Sequence, residues 1–243
     1  MRNRSKEALR YTAYEAIKDK ILYLELRPAD RLSESEIAKS LGIGRTPVRE
    51  ALLLLEKERL IEIKPGSGFS VCRFTQEEVE DYGLVRTAIE HLSLALAIQR
   101  ITETEVEALR ENLRNLEKNI DSHNLRNVVK HESEFHDIIY RSTKSYVIRE
   151  TISGLNAKFL WLRSVALSMK GAPEECLIQH RDIFRAIEKK DVVEAQNLMD
   201  NHLKCGWGRL NDFMWIFKDA RYGETQHDSK TQRASSDLAL GHP

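Results

Sequence analysis

The position of one proline fixes the start of a helix in segment 43–52 of this sequence. Pro47 has no backbone N–H, and a helix tolerates proline only in its first turn, where the N–H groups have no partner inside the helix. The helix therefore begins just before Pro47. Arg45 and Arg49 then lie one turn apart on the same face of the helix, near its N-terminus.

A pair of arginines at this spacing fits two interpretations. The side chains can lie in solvent, or they can enter a DNA major groove, where an arginine can donate two hydrogen bonds to one guanine. The preceding segment favours the groove, because Ser33 and Glu36 fit a capping box and Gly42 fits a helix end. A short helix and a tight turn thus precede the helix that carries the arginines, which is typical of a helix-turn-helix motif.

The residues after the motif predict a β-hairpin. Two short apolar runs, at 60–63 and 69–72, flank a turn at 64–68 that contains one proline and two glycines, and this pattern is typical of paired strands. The earlier segment 14–24 has apolar residues at helical spacing and supplies a first helix. The N-terminal part is therefore predicted to be a winged helix-turn-helix domain.

In their order and sequence, these segments resemble the GntR family of bacterial winged-helix transcription regulators. The resemblance rests on the proline-containing turn at 27–32, the arginine-rich helix start and the wing turn. It implies that double-stranded operator DNA is contacted by Arg45, Thr46, Arg49 and Gly66. Gly44 stands where the family more often has serine, so this helix lacks a side-chain N-cap, a change that costs only about a few tenths of a kcal/mol.

Charge is divided unevenly along the 243 residues, although the formal net charge is zero. Residues 1–74 carry 15 Lys and Arg against 11 Asp and Glu, and residues 75–243 carry 23 against 27. A small basic domain attracts phosphates, while the acidic remainder argues against a protein that coats polyanions in general. The three separated cysteines, Cys72, Cys176 and Cys205, fit neither a disulfide framework nor a zinc finger and suggest a reducing cytoplasm. No apolar run has the length of a membrane span, so no membrane partner is expected.

Beyond residue 75 the pattern predicts a second, all-α domain. Apolar residues recur at spacings of three and four with few breakers, and Thr75 with Glu78 fits a capping box at the start of the first helix. Six helices are expected, near 75–99, 106–120, 124–142, 145–170, 174–189 and 191–218. From residue 221 the chain is rich in small and polar residues, which predicts a disordered tail at 221–243.

Four polar residues interrupt the apolar stripes of three of these helices. Glu132 and His136 lie one turn apart on the predicted inner face of one helix, and His180 and His202 lie on the inner faces of the last two. Polar groups are seldom buried without partners, because an unsatisfied one costs about 2–7 kcal/mol. Each histidine alone is more often an ordinary core residue. Together, three imidazoles and one carboxylate suit zinc, nickel, manganese or iron(II).

The pattern Glu132-x-x-Phe135-His136, followed by His180 and His202, resembles the all-α, FCD-type effector domain of the FadR subfamily, in its six-helix, VanR-like form. That resemblance implies a divalent metal ion held by Glu132, His136, His180 and His202. The subfamily more often has aspartate at the first of these positions. The longer Glu132 leaves open whether this residue binds the ion or only supports another ligand.

The resemblance also implies a small carboxylate effector that binds the ion with an arginine nearby. Arginine offers two parallel donors to a carboxylate. The candidates are Arg86 and Arg163, and an exposed position on its helix is an equal alternative for Arg163.

The sequence thus predicts a mainly α protein with a flexible segment at 1–8, a winged helix-turn-helix domain at 9–74 and an all-α effector-binding and dimerisation domain at 75–220. We expect a homodimeric, cytoplasmic transcription regulator, a repressor rather than an activator, that binds an inverted-repeat operator and responds to a small organic acid. Two alternatives stay open: a metal-dependent enzyme that uses the three-histidine site, and a regulator whose helical domain only dimerises. The helix-turn-helix and its wing, which no catalyst needs, argue against the enzyme.

Overall fold

The computed structural model describes the backbone of residues 2–64, 66 and 68–219, and the side chains of residues 7–64, 66 and 68–210. The predicted disordered tail, 221–243, lies outside the described residues. The chain divides into two units, Met1–Thr75 and Gln76–Pro243.

The first unit combines three helices with a small sheet. Its elements are α1 (Arg2–Leu22), β1 (Arg31–Leu32), α2 (Glu34–Leu41), α3 (Arg45–Lys57), β2 (Ile61–Lys64) and β3 (Gly68–Val71). The strands pair antiparallel in the order β1-β3-β2. Helices α2 and α3 form the helix-turn-helix, and β2 with β3 forms the wing, so the predicted winged helix-turn-helix fold is confirmed.

The turn between α2 and α3 follows from local chemistry. The Ser33 side chain accepts a hydrogen bond from the Glu36 N–H at 3.3 Å and so caps α2. Gly42 ends this helix with φ +65°, a left-handed conformation that glycine adopts without steric cost. Helix α3 begins after Gly44 without a side-chain cap, as expected, and Pro47 lies in its first turn.

Helix α3 packs on α1 through an apolar face, while its other face is exposed. The buried residues of α3 are Val48, Ala51, Leu52 and Leu55, and those of α1 include the fully buried Ile17 and Ile21. Burying side chains of this size stabilises the unit by about 1.5–3 kcal/mol each. The packing therefore fixes which face of α3 points outward.

Two features of this unit differ from the sequence prediction. Helix α1 begins at Arg2, twelve residues before the start of the first helix predicted at 14–24, and the flexibility of segment 1–8 stays a prediction. Its first residues have no apolar spacing to reveal a helix, although Arg, Lys, Glu and Ala are good helix formers. Strand β1 was not expected, because a two-residue strand is too short to show alternation. It is recognised only by its pairing with Ser70 and Phe69.

The second unit is all-α over the described residues. Its helices are α4 (Gln76–Arg100), α5 (Glu103–Asp121), α6 (Leu125–Ser142), α7 (Tyr146–Leu167), α8 (Ala172–Glu188) and α9 (Val192–Asp219). The six expected helices are confirmed. Helix α4 packs on α6 and α9, α6 also packs on α5 and α7, and α8 packs on α5 and α9. The inner faces of α4, α6, α7, α8 and α9 thus enclose one interior.

Within the described residues, no helix combines the length and the apolar character needed to cross a bilayer.

Candidate functional site

The N-terminal turn of α3 presents three of the sequence-predicted DNA contacts to solvent. Arg45, Thr46 and Arg49 are exposed. The side chain of Arg49 is 65% exposed, and its Nη1 lies 3.4 Å from Glu34 Oε1 of α2. An exposed ion pair of this kind contributes about 0–1 kcal/mol, so it can orient the guanidinium without preventing other contacts.

The fourth predicted contact, Gly66, lies at the turn between the wing strands. It is exposed and has φ +71°. A Cβ at this position would meet no atom within 4 Å, but the backbone conformation is strained for any residue with a side chain. Glycine is therefore required by the shape of the turn.

The four polar residues predicted as metal ligands come together in the second unit. Glu132 and His136 project from α6, His180 from α8 and His202 from α9, and all four are buried. One ligand atom from each lies within 4.8 Å of the other three. The sequence expectation that the four side chains share one interior agrees with this arrangement.

The distances between these atoms fit a shared ion. His180 Nε2 lies 3.3 Å from His202 Nε2, and His136 Nε2 lies 3.4 Å from Glu132 Oε1. Two nitrogen or oxygen ligands on one tetrahedral zinc ion are about 3.4 Å apart, given metal–ligand bonds of about 2.0–2.1 Å. A third separation, 4.0 Å between His202 Nε2 and Glu132 Oε1, is somewhat wider.

Outer contacts orient two of the imidazoles. His202 Nδ1 donates to Gln179 Oε1 at 2.9 Å, and His136 Nδ1 lies 2.8 Å from Glu90 Oε1. Tyr140 donates its hydroxyl proton to the same Glu90 oxygen at 2.5 Å. A ligand histidine commonly contacts a carboxylate or an amide through its second ring nitrogen, which leaves the Nε2 lone pair for the metal.

The third imidazole is held by packing instead. The His180 ring stacks on Phe135, with ring centroids 4.1 Å apart and an interplanar angle of 14°. Its Nδ1 has no hydrogen-bond partner among the described residues. Among the described residues, the polar contacts of the His180 ring are therefore made by Nε2, at the centre of the cluster.

The electrostatics of the cluster keep the imidazoles of His180 and His202 neutral and the carboxylate of Glu132 charged. Burial, reinforced by the charges on His136 and Arg86, lowers the pKa of His202 to about 3. Burial and the two neighbouring histidines lower the pKa of His180 well below its usual range. For Glu132, burial alone raises the pKa, but Arg163 and His136 together hold it well below the ordinary value. A deprotonated carboxylate beside neutral imidazoles is the protonation state that binds a metal ion.

Both candidate effector arginines are buried against this cluster. Arg86 of α4 donates from Nη2 to His136 Nε2 at 3.1 Å, and the same Nη2 lies 3.7 Å from Glu132 Oε1. Arg163 of α7 places Nε 3.0 Å from Glu132 Oε2. The alternative of an exposed Arg163 was therefore wrong. Its helix turns this face inward because the neighbouring Phe159 and Leu162 belong to the core.

A small cavity adjoins the cluster. Its volume is about 40 Å³, and its lining includes Arg86, Glu132, Arg163, Cys176 and His202. A cavity of this size accommodates a few water molecules or a small ligand. Arg163 Nη2 is buried and has no hydrogen-bond partner among the described residues, so the cavity wall offers an unused donor.

Sequence reasoning missed the residues that surround the ligands. Glu90, Tyr140 and Gln179 were not singled out, although Glu90 is fully buried. Its pKa falls to about 2, because the charges and hydrogen bonds of His136, Arg86 and Tyr140 outweigh the effect of burial. The only available signal was the four-residue spacing of Arg86 and Glu90, which is equally common on solvated helix faces.

Comparison with known proteins agrees with the fold. The family described as "Bacterial regulatory proteins, gntR family" matches residues 9–71, and the FCD domain matches residues 83–204. The chain is 33% identical over 193 residues to an uncharacterized HTH-type transcriptional regulator in an unstable DNA locus of Streptomyces ambofaciens, covering 79% of this chain and 80% of that protein. It is 30% identical over 204 residues to the HTH-type transcriptional repressor GlaR of Escherichia coli strain K12, covering 78% of this chain and 90% of that protein.

A solved structure shares the fold. The E. coli protein McbR/YncC superposes with a TM-score of 0.71 at 21% sequence identity, covering 85% of this chain and 98% of that chain. The chain therefore belongs to the GntR family of helix-turn-helix transcription regulators and carries an FCD domain. It is a DNA-binding transcription regulator, and the metal-dependent enzyme considered from the sequence is set aside.

Proposed function

We propose that this chain is a homodimeric repressor whose operator affinity is controlled by a small carboxylate effector, bound at a divalent metal ion in the helical domain. The domains that carry these activities are residues 9–74 and 75–220. The observation on which the proposal depends is the convergence of Glu132, His136, His180 and His202 beside a cavity that contains an unpaired guanidinium donor.

The chemistry of the four side chains favours a first-row transition metal. Imidazole nitrogens suit zinc, nickel, iron(II) and, less strongly, manganese. Four protein ligands on a six-coordinate ion leave two positions open for an anion or water. With three neutral imidazoles and one carboxylate, the ligand set carries one negative charge, which neutralises only half of the charge of a divalent ion. The two nearby guanidinium groups leave an excess of positive charge, which an anionic effector would neutralise.

Arg86 and Arg163 are the residues that would hold the effector carboxylate. Arg163 has a free Nη2 donor at the cavity, and a fork of parallel donors matches a carboxylate. Arg86 now donates to His136 Nε2. When that nitrogen binds an ion, it no longer accepts from Arg86, and the guanidinium becomes available to the effector. The small cavity favours an organic acid with few heavy atoms.

The winged helix-turn-helix domains of two copies of the chain would bind DNA together. A single recognition helix reads only a few base pairs, and two copies related by a two-fold axis read an inverted repeat. Helix α4 carries an exposed apolar stripe that suits contact between copies, because Leu84 is 72% exposed and Leu92, two turns away on the same face, is 52% exposed. Val85 and Ala88 extend this stripe.

Helix α4 is also the element through which effector binding can change the position of the DNA-binding domain. It begins at Gln76, with four residues between it and the end of β3 at Val71, and it carries both Arg86 and the apolar stripe. An effector that binds one arrangement of α4 more tightly than another shifts the population towards it. The two arrangements would differ in how well the paired recognition helices match the half-site spacing.

The names of two relatives and the role of a transcription regulator support the sign of regulation and the location. GlaR and RspR of E. coli strain K12 are both named transcriptional repressors, which supports repression here. A regulator of bacterial transcription acts where the chromosome is, so we place the protein in the cytoplasm.

A thermal-shift screen of small carboxylic acids tests the proposal. Protein loaded with Zn²⁺ is compared with protein treated with a chelator, and each acid that raises Tm is tested for its effect on operator binding by fluorescence anisotropy. We expect at least one acid to raise Tm only in the metal-loaded protein and to weaken operator binding. If neither metal nor any acid changes Tm or operator affinity, the helical domain only dimerises and the proposal fails.

A further inference from the structure

Cys176 lies against the proposed metal centre but is not one of the predicted ligands. We propose that its thiolate is a sulfur ligand of the ion, which makes the centre selective for zinc-like metals over manganese. This inference rests on the metal centre proposed above.

The first support is the position of the sulfur on its helix. Cys176 and His180 are four residues apart on α8, so both side chains project from the same face. Cys176 is 3% exposed and lines the cavity that Glu132 and His202 also line. The thiol is therefore enclosed with the other four side chains.

The second support is distance. Cys176 Sγ lies 3.8 Å from His180 Nε2, the nitrogen that faces the centre of the cluster. A sulfur and a nitrogen on one tetrahedral zinc ion are about 3.6 Å apart, given bonds of about 2.3 Å and 2.0–2.1 Å. The sulfur thus lies close to the separation expected from this nitrogen, and rotation about the Cα–Cβ bond of Cys176 can bring it towards the other ligand atoms.

The third support is the competition for Glu132. Its Oε2 is paired with Arg163 at 3.0 Å, and its Oε1 lies 3.7 Å from Arg86 and 4.0 Å from His202 Nε2. The Glu132 carboxylate is thus held by two guanidinium groups, and it lies farther from the His202 imidazole than two ligands of one ion usually lie from each other. A sulfur ligand from α8 would supply the coordination that Glu132, held in this way, provides less well.

Binding through sulfur has a defined proton balance. The S–H bond breaks as the sulfur–metal bond forms, and the proton leaves to solvent without any change of oxidation state. Thiolate is a soft ligand that favours zinc or cobalt(II), whereas manganese prefers oxygen ligands. Loss of the sulfur should therefore weaken zinc binding much more than manganese binding.

Cobalt(II) absorption tests the inference directly, because a thiolate on cobalt gives a charge-transfer band in the near ultraviolet and imidazoles do not. Co²⁺ is titrated into the wild-type protein, into Cys176→Ser and into the matched control Cys205→Ser. Cys205 is a half-buried cysteine of α9 that, unlike Cys176, does not line the cavity. We expect the sulfur band in the wild type and the control, and only the visible bands of bound cobalt in Cys176→Ser. Zinc affinity should fall about tenfold or more in that variant, with manganese affinity nearly unchanged.

Two different failures can be told apart. Visible cobalt bands in the wild type without the sulfur band would overturn the role of Cys176 and leave the metal centre in place. No cobalt binding at all would overturn both. Should Cys176→Ser fail to fold, zinc X-ray absorption of the wild type decides, because a sulfur shell at about 2.3 Å is expected and its absence refutes the inference.

Discussion

Gln179 Oε1 accepts a hydrogen bond from His202 Nδ1 at 2.9 Å. The amide is oriented by a second bond, since Gln179 Nε2 donates to Glu175 Oε1 at 3.2 Å. The proton on His202 is therefore fixed at Nδ1, and the lone pair on Nε2 faces Glu132 and His180. A single amide thus determines which nitrogen of His202 can bind a metal.

Replacing this amide should weaken metal binding without removing a ligand. We expect Gln179→Leu to raise the Kd for Zn²⁺ about 10- to 100-fold, because the imidazole loses the partner that holds its tautomer and orientation. Isothermal titration with a competing chelator measures the change. Gln196→Leu is the control, since Gln196 is also half-buried but donates to the His91 carbonyl. Equal affinities of Gln179→Leu and the wild type would contradict the assigned role.

Acid should destabilise the metal-free second unit through His202. Its pKa is about 3 in the folded protein against an ordinary 6.5, so below about pH 6.5 the unfolded chain takes up a proton that the folded chain does not. The stabilisation is complete above pH 6.5 and is lost as the pH falls from 6.5 towards 3. At pH 5.5 one such imidazole accounts for about 1 kcal/mol.

Urea unfolding at pH 7.5 and pH 5.5 measures this loss. Tryptophan fluorescence reports on the second unit, since the three tryptophans all lie beyond residue 160. The free energy of unfolding of His202→Gln should fall less between pH 7.5 and pH 5.5 than that of the wild type. His123→Asn changes a histidine at an exposed position with φ +53°, which asparagine tolerates, and its free energy of unfolding should fall as much as that of the wild type. An unchanged loss in His202→Gln would show that this imidazole is not held neutral.

The recognition helix can be tested with two charge deletions on one element. Arg49→Ala should raise the Kd for a duplex selected from a random pool by the wild-type protein about tenfold or more, because an arginine–guanine contact is lost. Lys57→Ala removes an equal charge at the other end of α3, where the side chain is also exposed, and should change specific binding little. Circular dichroism verifies that both variants fold. Equal losses in the two variants would indicate that charge alone, rather than the helix N-terminus, governs affinity.

The apolar stripe of α4 should be an interface between two copies. Leu92→Glu places a charge on that stripe and is expected to give a monomer in sedimentation velocity experiments, since burying an unpaired charge is unfavourable. Ile178→Glu is the control, because Ile178 of α8 is 58% exposed but lies on another helix. A dimer of Leu92→Glu as stable as that of the control would place the interface elsewhere.

The sequence predicted the parts of this protein that depend on local chemistry. Pro47 and Gly42 located the ends of two helices, and the polar interruptions of apolar stripes identified all four residues of the cluster. Such signals are visible because a buried imidazole on an apolar face is unusual wherever it occurs. The same logic failed at the first residues of α1, where good helix formers have no apolar spacing.

Contacts between distant segments were beyond the reach of the sequence. Glu90 becomes a partner of His136 across 46 residues, and Gln179 becomes a partner of His202 across 23. Both are polar residues of ordinary appearance on their own helices. Only the packing of α4 on α6 and of α8 on α9 gives them a role, as it does for β1 in the first unit.

Metal content of purified protein tests the central claim most directly. Wild type, His180→Gln and His123→Asn are incubated with Zn²⁺, dialysed, and measured by inductively coupled plasma mass spectrometry. His180 is the informative position, because its Nε2 faces the cluster and its Nδ1 has no partner among the described residues. We expect about one ion per chain in the wild type and in His123→Asn, and none in His180→Gln. Equal metal content in wild type and His180→Gln, at any level, would contradict the metal centre.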